Sequence, residues 1–391
     1  MYASKLPVNP LELRCMLNNR FSSGLFLRNS LLMMFVAIAI TAYGQADAAL
    51  RARLQHADSQ SRLDDPALLP WHMKVEFQLY NEKGKPTESG TLEEWWLGKE
   101  YRKRRFESPS FTATIISNKD GVFQTANTPA LPAALDTLEQ QFFRPMDAEI
   151  DDTTLQPDLR SMNFGAVPMD CIMLDSPIKN AHALPLGLFT TFCLDKGKTS
   201  LRVSYNFGTQ LILRKKIGVF QGKFVALDVS VMESDVVSST ATVTDLKSAT
   251  LTEADFAVTP EMRRLNTNVV TLIEGPQSNI GLVKGKAIFS PMPPMPAQNI
   301  ALQIYGNVVL KALIGTDGRV HDIHVVSTPD ARLAIAAIAV VRQWKYQPAT
   351  LNGTPVAVDD TISIPFQKHE LQENMYSQGA RGVLDYNNSL Q

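Results

Sequence analysis

The chain has 391 residues, enough for two folded domains and their connections. Hydrophobic residues make up 45% of it, which supports sizeable cores, and the formal net charge is -1. That balance gives no broad field for nucleic acid or an anionic membrane, and no nucleic-acid partner is expected.

Residues 1–48 read as an export segment, either a cleaved signal peptide or a retained N-terminal anchor. Leu31 to Ala42 is an unbroken apolar run, with Arg20 and Arg28 before it and Ala42, Gly44, Ala46 and Ala48 after it. These are the basic, apolar and small-residue regions of a secretory signal, with Ala46-Asp47-Ala48 and Ala42-Tyr43-Gly44 as cleavage candidates. The run falls short of the ~20 residues of a comfortable membrane span, which favours cleavage over anchoring in the inner membrane by residues 31–42. No cysteine follows it, which argues against a lipid anchor. The segment before the run is long for a basic region, and Met16 is the expected start. Starting there removes Cys15 and leaves Cys171 and Cys193 in an exported chain, for which a disulfide is the leading reading and two unpaired buried thiols the alternative. Closing that loop would contribute ~3 kcal/mol by restricting the unfolded chain.

Residues 60–265 form a mostly β domain. Trp71, Met73, Val75, Phe77 and Leu79 alternate with polar residues, as a half-buried strand requires. Strands are expected over Thr91 to Phe106 (one long strand or a bent pair), Phe111 to Ser117 and Val122 to Thr125. Leu131, Leu135, Leu138 and Phe142 then repeat at helical spacing, and Pro145 closes the helix. Leu201 to Tyr205, Gln210 to Lys216, Phe224 to Glu233 and Ser239 to Leu246 complete an antiparallel set, with a short element at Leu251 to Pro260. This order predicts an α+β fold with a curved antiparallel sheet and helices on its concave face. It resembles the periplasmic lipoprotein-carrier proteins (LolA-like), and that resemblance implies a concavity able to hold an acyl chain. The competing reading is that the helix fills the concavity as ordinary core.

Residues 266–300 are a linker with Gly275-Pro276 and a proline cluster from Pro291 to Pro296, a short polyproline spacer. Residues 301–367 follow as a small ββαβ domain, and 368–391 as a polar tail. Val308, Leu310, Ala312 and Ile314 share one face of a first strand, and Asp317-Gly318 makes a tight turn. Ile323 and Val325 face inward on the return strand. Asp330 is the expected N-cap of a helix whose Leu333, Ala336, Ala337, Val340, Val341 and Trp344 form one stripe. Asn352-Gly353 starts a hairpin into a long last strand, which puts Val356, Val358, Ile362, Ile364 and Phe366 on one face, interrupted by Asp360.

Gly306-x-Val308, Asp317-Gly318-x-Val320, Trp344-x-Tyr346-x-Pro348 and Asn352-Gly353-x-Pro355-Val356 occur in the order and spacing of one family. The block resembles the C-terminal domain of the TonB energy transducers over about sixty residues. The resemblance implies that the last strand accepts an extended peptide from an outer-membrane receptor. The Tyr-Pro pair that precedes the family's first strand is absent. The spacer is short for a periplasm-crossing transducer, and the apolar run lacks the family's coupling histidine.

No nucleophile elbow, metalloprotease helix or phosphate-cradling glycine loop is present, and no enzyme activity, cofactor or metal is expected. His321 and His324 are expected on opposite strand faces. Asp322, Asp359 and Asp360 read as solvated strand faces and an edge guard, and Arg102 to Arg105 as one wet strand face. Trp95 and Trp96 alternate, so at least one faces the core. What remains is recognition by strand addition, in which backbone groups give affinity and side chains selectivity. The candidate partner-binding residues are Val356, Val358, Asp359, Thr361, Ile362, Ser363 and Ile364, with Pro365 removing one donor. The expected role is an exported protein that binds a protein partner in the periplasm, an outer-membrane transporter being the candidate. The alternative is a periplasmic carrier of a hydrophobic ligand, lipid or lipoprotein, with a docking module. Self-association through the edge strand and coverage of that edge by the tail are further options.

Overall fold

In the computed structural model, the described residues are 46–367 apart from 82, 129–130, 147, 176–183, 207–209, 234–235, 266–269, 272–281 and 352. Residues 1–45 of the expected signal, Cys15 among them, Gly275-Pro276, Asn352 and the polar tail lie outside the described residues, whereas the cleavage candidate Ala46-Asp47-Ala48 lies at the start of a helix. The chain divides into two compact units, Met1–Ala52 and Arg53–Gln391. Of the first, the described part is 46–52, the opening of a helix α1 that spans residues 46–61.

The second unit is built on a 13-stranded antiparallel sheet. Its strands in chain order are β1 (Trp71–Tyr80), β2 (Pro86–Gly98), β3 (Tyr101–Glu107), β4 (Thr112–Asn118) and β5 (Gly121–Ala126). After the helix α2 (Ala133–Phe143) come β6 (Gln156–Phe164), β7 (Val167–Asp175), β8 (Thr191–Asp195), β9 (Leu201–Asn206), β10 (Gln210–Phe220), β11 (Lys223–Glu233), β12 (Val236–Ser248) and β13 (Arg263–Arg264). The spatial order is β13-β5-β4-β3-β2-β1-β12-β11-β10-β9-β8-β7-β6, so the two halves meet at the pairing of β1 with β12. Register shifts in β1 and β10 mark bulges, which bend a sheet and increase its twist.

The alternation of β1 appears as burial: Trp71, Met73, Val75, Phe77 and Leu79 are all buried. Trp96 follows them inward and stacks on Trp71 with ring centroids 6.1 Å apart, while Trp95 points to the other face beside His72. Leu135, Leu138 and Phe142 of α2 complete this core, so the helix covers the sheet with side chains that interlock with it. Of the two readings of Thr91 to Phe106, one long strand or a bent pair, the pair is found: β2 and β3 form a hairpin that turns between Gly98 and Tyr101.

The basic run departs from the expected wet face. Arg102 and Arg104 turn under α2, where Arg102 Nε donates to Glu94 Oε1 (2.5 Å), Arg104 Nη1 donates to Glu139 Oε2 (2.8 Å), and Arg102 also pairs with Glu139. Glu94 is fully buried and Glu139 is 5% exposed. Burial, with Arg102 adding to it, pulls the Arg104 guanidinium down to about 10. Alternation sends Lys103 and Arg105 outward instead.

The C-terminal region carries β14 (Val270–Thr271), β15 (Leu282–Val283), β16 (Ala287–Phe289), α3 (Ala297–Ala301), β17 (Gly306–Ile314), β18 (Val320–Ser327) and α4 (Ala331–Val341). These are followed by β19 (Lys345–Tyr346), β20 (Ala349–Leu351), β21 (Thr354–Val356) and β22 (Val358–Phe366). The main sheet runs β14-β22-β17-β18. Val308, Leu310, Ala312, Ile323, Val325, Ile362 and Ile364 pack beneath Leu333, Ala334, Ala337, Ile338 and Val341 of α4. Asp330 caps α4 as expected, its carboxylate accepting from the Arg332 N–H at 3.0 Å. Gly318 takes φ 73° in the β17–β18 turn, and a Cβ there would lie 2.1 Å from the Tyr346 carbonyl oxygen. This turn therefore requires glycine for both its conformation and its neighbour.

Candidate docking edge and cleft

The long last strand expected from Val356 to Phe366 is broken at Ala357. Val356 belongs to β21, which pairs with β20 (Ala349↔Val356) in a separate three-stranded sheet. β22 pairs along its whole length with β17, from Ile314↔Val358 to Gly306↔Phe366. Its other side meets β14 in parallel at Val358 and Asp359, through Val270↔Val358 and Thr271↔Asp359. From Asp360 onward, no strand among the described residues lies on that side.

Burial follows the pleat. Val358, Ile362, Ile364 and Phe366 are buried, Thr361, Ser363 and Pro365 are exposed, and Asp359 and Asp360 are intermediate. The edge polarity is set by one bond. The backbone N–H of Thr361 donates to Oδ1 of Asp360 at 2.9 Å, so this amide points away from β17. Alternation puts the amides of Asp359 and Ser363 on the same side, where Pro365 has no N–H to offer. Asp359 is flanked by β14 and Thr361 is occupied by Asp360. Ser363 is left as the outward amide with no partner among the described residues. Asp360 is held in turn by Lys284, whose Nζ lies 3.0 Å from Oδ2. The expected edge guard is thus a specific device: one short strand, one carboxylate and one proline limit which chain can pair here.

The two histidines of β18 also differ from expectation. Lys311 pairs with His324 and Leu313 with His321, so the single residue Ala312 of β17 lies opposite two residues of β18, 322 and 323. The extra residue cancels the alternation and places both imidazoles on the face opposite α4. Their partners are separate. His321 Nε2 lies 3.1 Å from Asp317 Oδ2, and His324 Nδ1 lies 3.1 Å from Thr190 Oγ1.

Thr190 belongs to the large-sheet domain, and the contact marks where the two sheets meet. Leu188 and Phe189 are buried in the same cluster as the α4 core. Beside them lies a cavity of about 400 Å³, walled by Gln140, Gln141 and Arg144 on one side and Lys311, His324 and Asp359 on the other. Its parts lie more than 100 residues apart in the chain, so sequence reading had no local pattern to find it by.

Cys171 and Cys193 form the expected disulfide, joining directly paired residues of β7 and β8. Among the described residues, no group of three or more His, Cys, Asp or Glu side chains is arranged to hold a metal ion. No helix among them is long and apolar enough to cross a membrane.

No curated protein matches the chain. Three solved structures are similar to its larger part. A LolA superfamily protein from Nitrosomonas europaea has 10% identity and TM-score 0.36, over 53% of this chain and 96% of that one. An outer membrane lipoprotein-sorting protein domain from Vibrio parahaemolyticus has 14% identity and TM-score 0.33, over 53% and 95%. A DUF1329 family protein from Desulfovibrio piger has 12% identity and TM-score 0.32, over 55% and 96%. The family model described as Gram-negative bacterial TonB protein C-terminal matches residues 291–367. By motif and by family model, residues 291–367 are therefore similar to the C-terminal domain of Gram-negative TonB proteins.

Proposed function

We propose that this chain is an exported envelope protein that binds a protein partner in the periplasm by strand addition to β22, with an outer-membrane transporter as the candidate partner. The role is binding rather than catalysis. The observation that carries this reading is the side of β22 from Asp360 to Phe366, which has no neighbouring strand among the described residues. An extended peptide placed there gains backbone hydrogen bonds at Ser363 and at the outward carbonyls. The exposed Thr361 and Ser363 side chains face what flanks that peptide.

Photo-crosslinking in the intact envelope tests the proposal. A photoreactive residue at the exposed Thr361 is expected to give an adduct with an outer-membrane transporter, and Ser363→Pro, which removes the free outward N–H, is expected to abolish it while the folded yield is retained. Adducts that form only with a second copy of the chain, or that persist in Ser363→Pro, would overturn the reading. N-terminal sequencing of the mature protein separates a freely exported form from one anchored by residues 31–42.

The carrier reading remains a second proposal, favoured by a curved sheet with a helix laid on one face. Against it, Leu135, Leu138 and Phe142 of α2 occupy that face as packed core. Copurifying acyl lipid, detected by mass spectrometry of a solvent extract, would move the balance to the carrier.

A further inference from the structure

Arg214 is the most deeply buried basic side chain among the described residues, 3% exposed. It projects from β10 toward the end of α2. Its Nη1 donates to Ser204 Oγ (3.1 Å), and its Nη2 donates to Gln141 Oε1 (2.6 Å) and to the carbonyl oxygen of Pro145 (3.4 Å). All three acceptors are neutral. No carboxylate pairs with the guanidinium among the described residues, and Nε has no hydrogen-bond partner. Burial, with no opposing charge, pulls the group down to about 9, which still leaves it protonated at neutral pH.

Clamping the end of α2 explains why Arg214 meets Gln141 and Pro145, since cations suit helix C-termini. It leaves a whole positive charge in the interior without a counter-ion, an arrangement proteins avoid unless something compensates it. Two of its acceptors point to the compensation. Ser204 and Gln141 are part of the wall of the 400 Å³ cavity between α2 and the outer face of the C-terminal sheet. Arg214 therefore stands one side chain behind that cavity, and low-dielectric walls focus its field into it. Ser204 Oγ, having accepted from Arg214, keeps its own proton for donation into the cavity. Lys311 enters from the opposite wall, its Nζ 4.0 Å from Asp359 Oδ2.

We propose that this cavity is a binding site for a small organic anion, whose carboxylate or phosphate oxygens are held by the Ser204 hydroxyl and Lys311 and neutralise Arg214 through the wall. The site stands independently of strand addition at β22. Its volume of about 400 Å³ falls in the range of small-molecule sites.

Calorimetric titration of the full chain tests it, with inorganic phosphate and with citrate, at constant ionic strength in chloride buffer. At least one is expected to bind saturably. Ser204→Ala and Lys311→Ala, both at the cavity surface, should each weaken binding by about tenfold. Arg105→Ala, at an exposed ion pair, should not. Tighter binding of phosphate assigns a phosphate-bearing ligand, and tighter binding of citrate a carboxylate. Absence of saturable binding by either anion up to about 10 mM, or binding indifferent to both cavity variants, would overturn the proposal and leave Arg214 as a helix clamp only. Arg214→Gln is not needed for the decision, so any loss of folding in that variant does not affect it.

Discussion

Thr361 and Asp360 are neighbours in the chain that hold each other in place: the Thr361 N–H donates to the Asp360 carboxylate at 2.9 Å, on the side of β22 that faces away from β17. A residue meant to sit under α4, by its place in the strand's inward row, instead turns back to occupy an edge amide. Asp360→Ala releases that amide and removes the Lys284 ion pair. One more free donor at the edge is worth about 1 kcal/mol to an incoming strand. The variant is therefore expected to pair with extended peptide several-fold more tightly and to self-associate more strongly. Light scattering across a concentration series measures the second effect. A variant that stays monomeric and binds peptide no better would show that the carboxylate is not what limits pairing.

The disulfide links residues that already face each other across β7 and β8, at a separation of 22 in sequence. Its contribution then lies in the unfolded chain, where it closes a loop of that length. Reduction should lower unfolding stability by on the order of 3 kcal/mol while the strand pairing survives. Urea denaturation with and without reductant measures the difference. An unchanged midpoint would show that the reduced chain is already restricted when unfolded.

Much of the C-terminal domain was legible because each of its elements has its own local marker. Asp330 caps α4, Gly318 is forced by a backbone clash, and the expected helix stripe holds at Leu333, Ala337 and Val341, while Ala334 and Ile338 take the buried places expected for Ala336 and Val340. What could not be read depends on register or on distant residues. A break at Ala357 leaves no compositional trace, yet it moves Val356 into a different sheet. One unpaired residue in β18 turns His321 and His324 to the same face. The β6–β7 hairpin at the far edge of the large sheet carries few buried residues on β6 and so gave little alternation to detect. Arg102 and Arg104 look solvent-facing in a run of four cations, because Glu94 and Glu139 are supplied by a neighbouring strand and a helix.

Those two arginines depend on Glu139. It accepts from both, under α2, and is the carboxylate that ties the helix to β3. Glu139→Ala would leave Arg104 with no ion-pair partner among the described residues, and Arg102 with Glu94 alone. Breaking a buried pair by removing one side typically costs about 3–5 kcal/mol. The expected result is a loss in that range in chemical denaturation. Adding Arg104→Met should recover part of it, because the buried charge goes with its partner. Failure of the second substitution to recover any stability would mean that the cost lies in lost α2 packing rather than in stranded charge.

Asp175, at the end of β7, gives the protein a specific response to pH. Burial and then the nearby Asp158 carboxylate push it up from the usual 3.8 to about 6, while Arg160 opposes them. The folded chain thus holds this proton more tightly than the unfolded chain does. Protonated Asp175 favours the folded state, and that contribution is fully present below pH 3.8. It is lost as pH rises through about 6, where folding must carry a buried, repelled charge. Asp175→Asn, which keeps the shape and cannot ionise, should leave stability near pH 4 almost unchanged and raise it at pH 7. A pH series of thermal melts for the two proteins should therefore converge at the acid end, separate as pH rises from 3.8 to about 6, and keep a constant gap above that. Curves that run parallel across the range would assign the effect of the substitution to packing instead of titration.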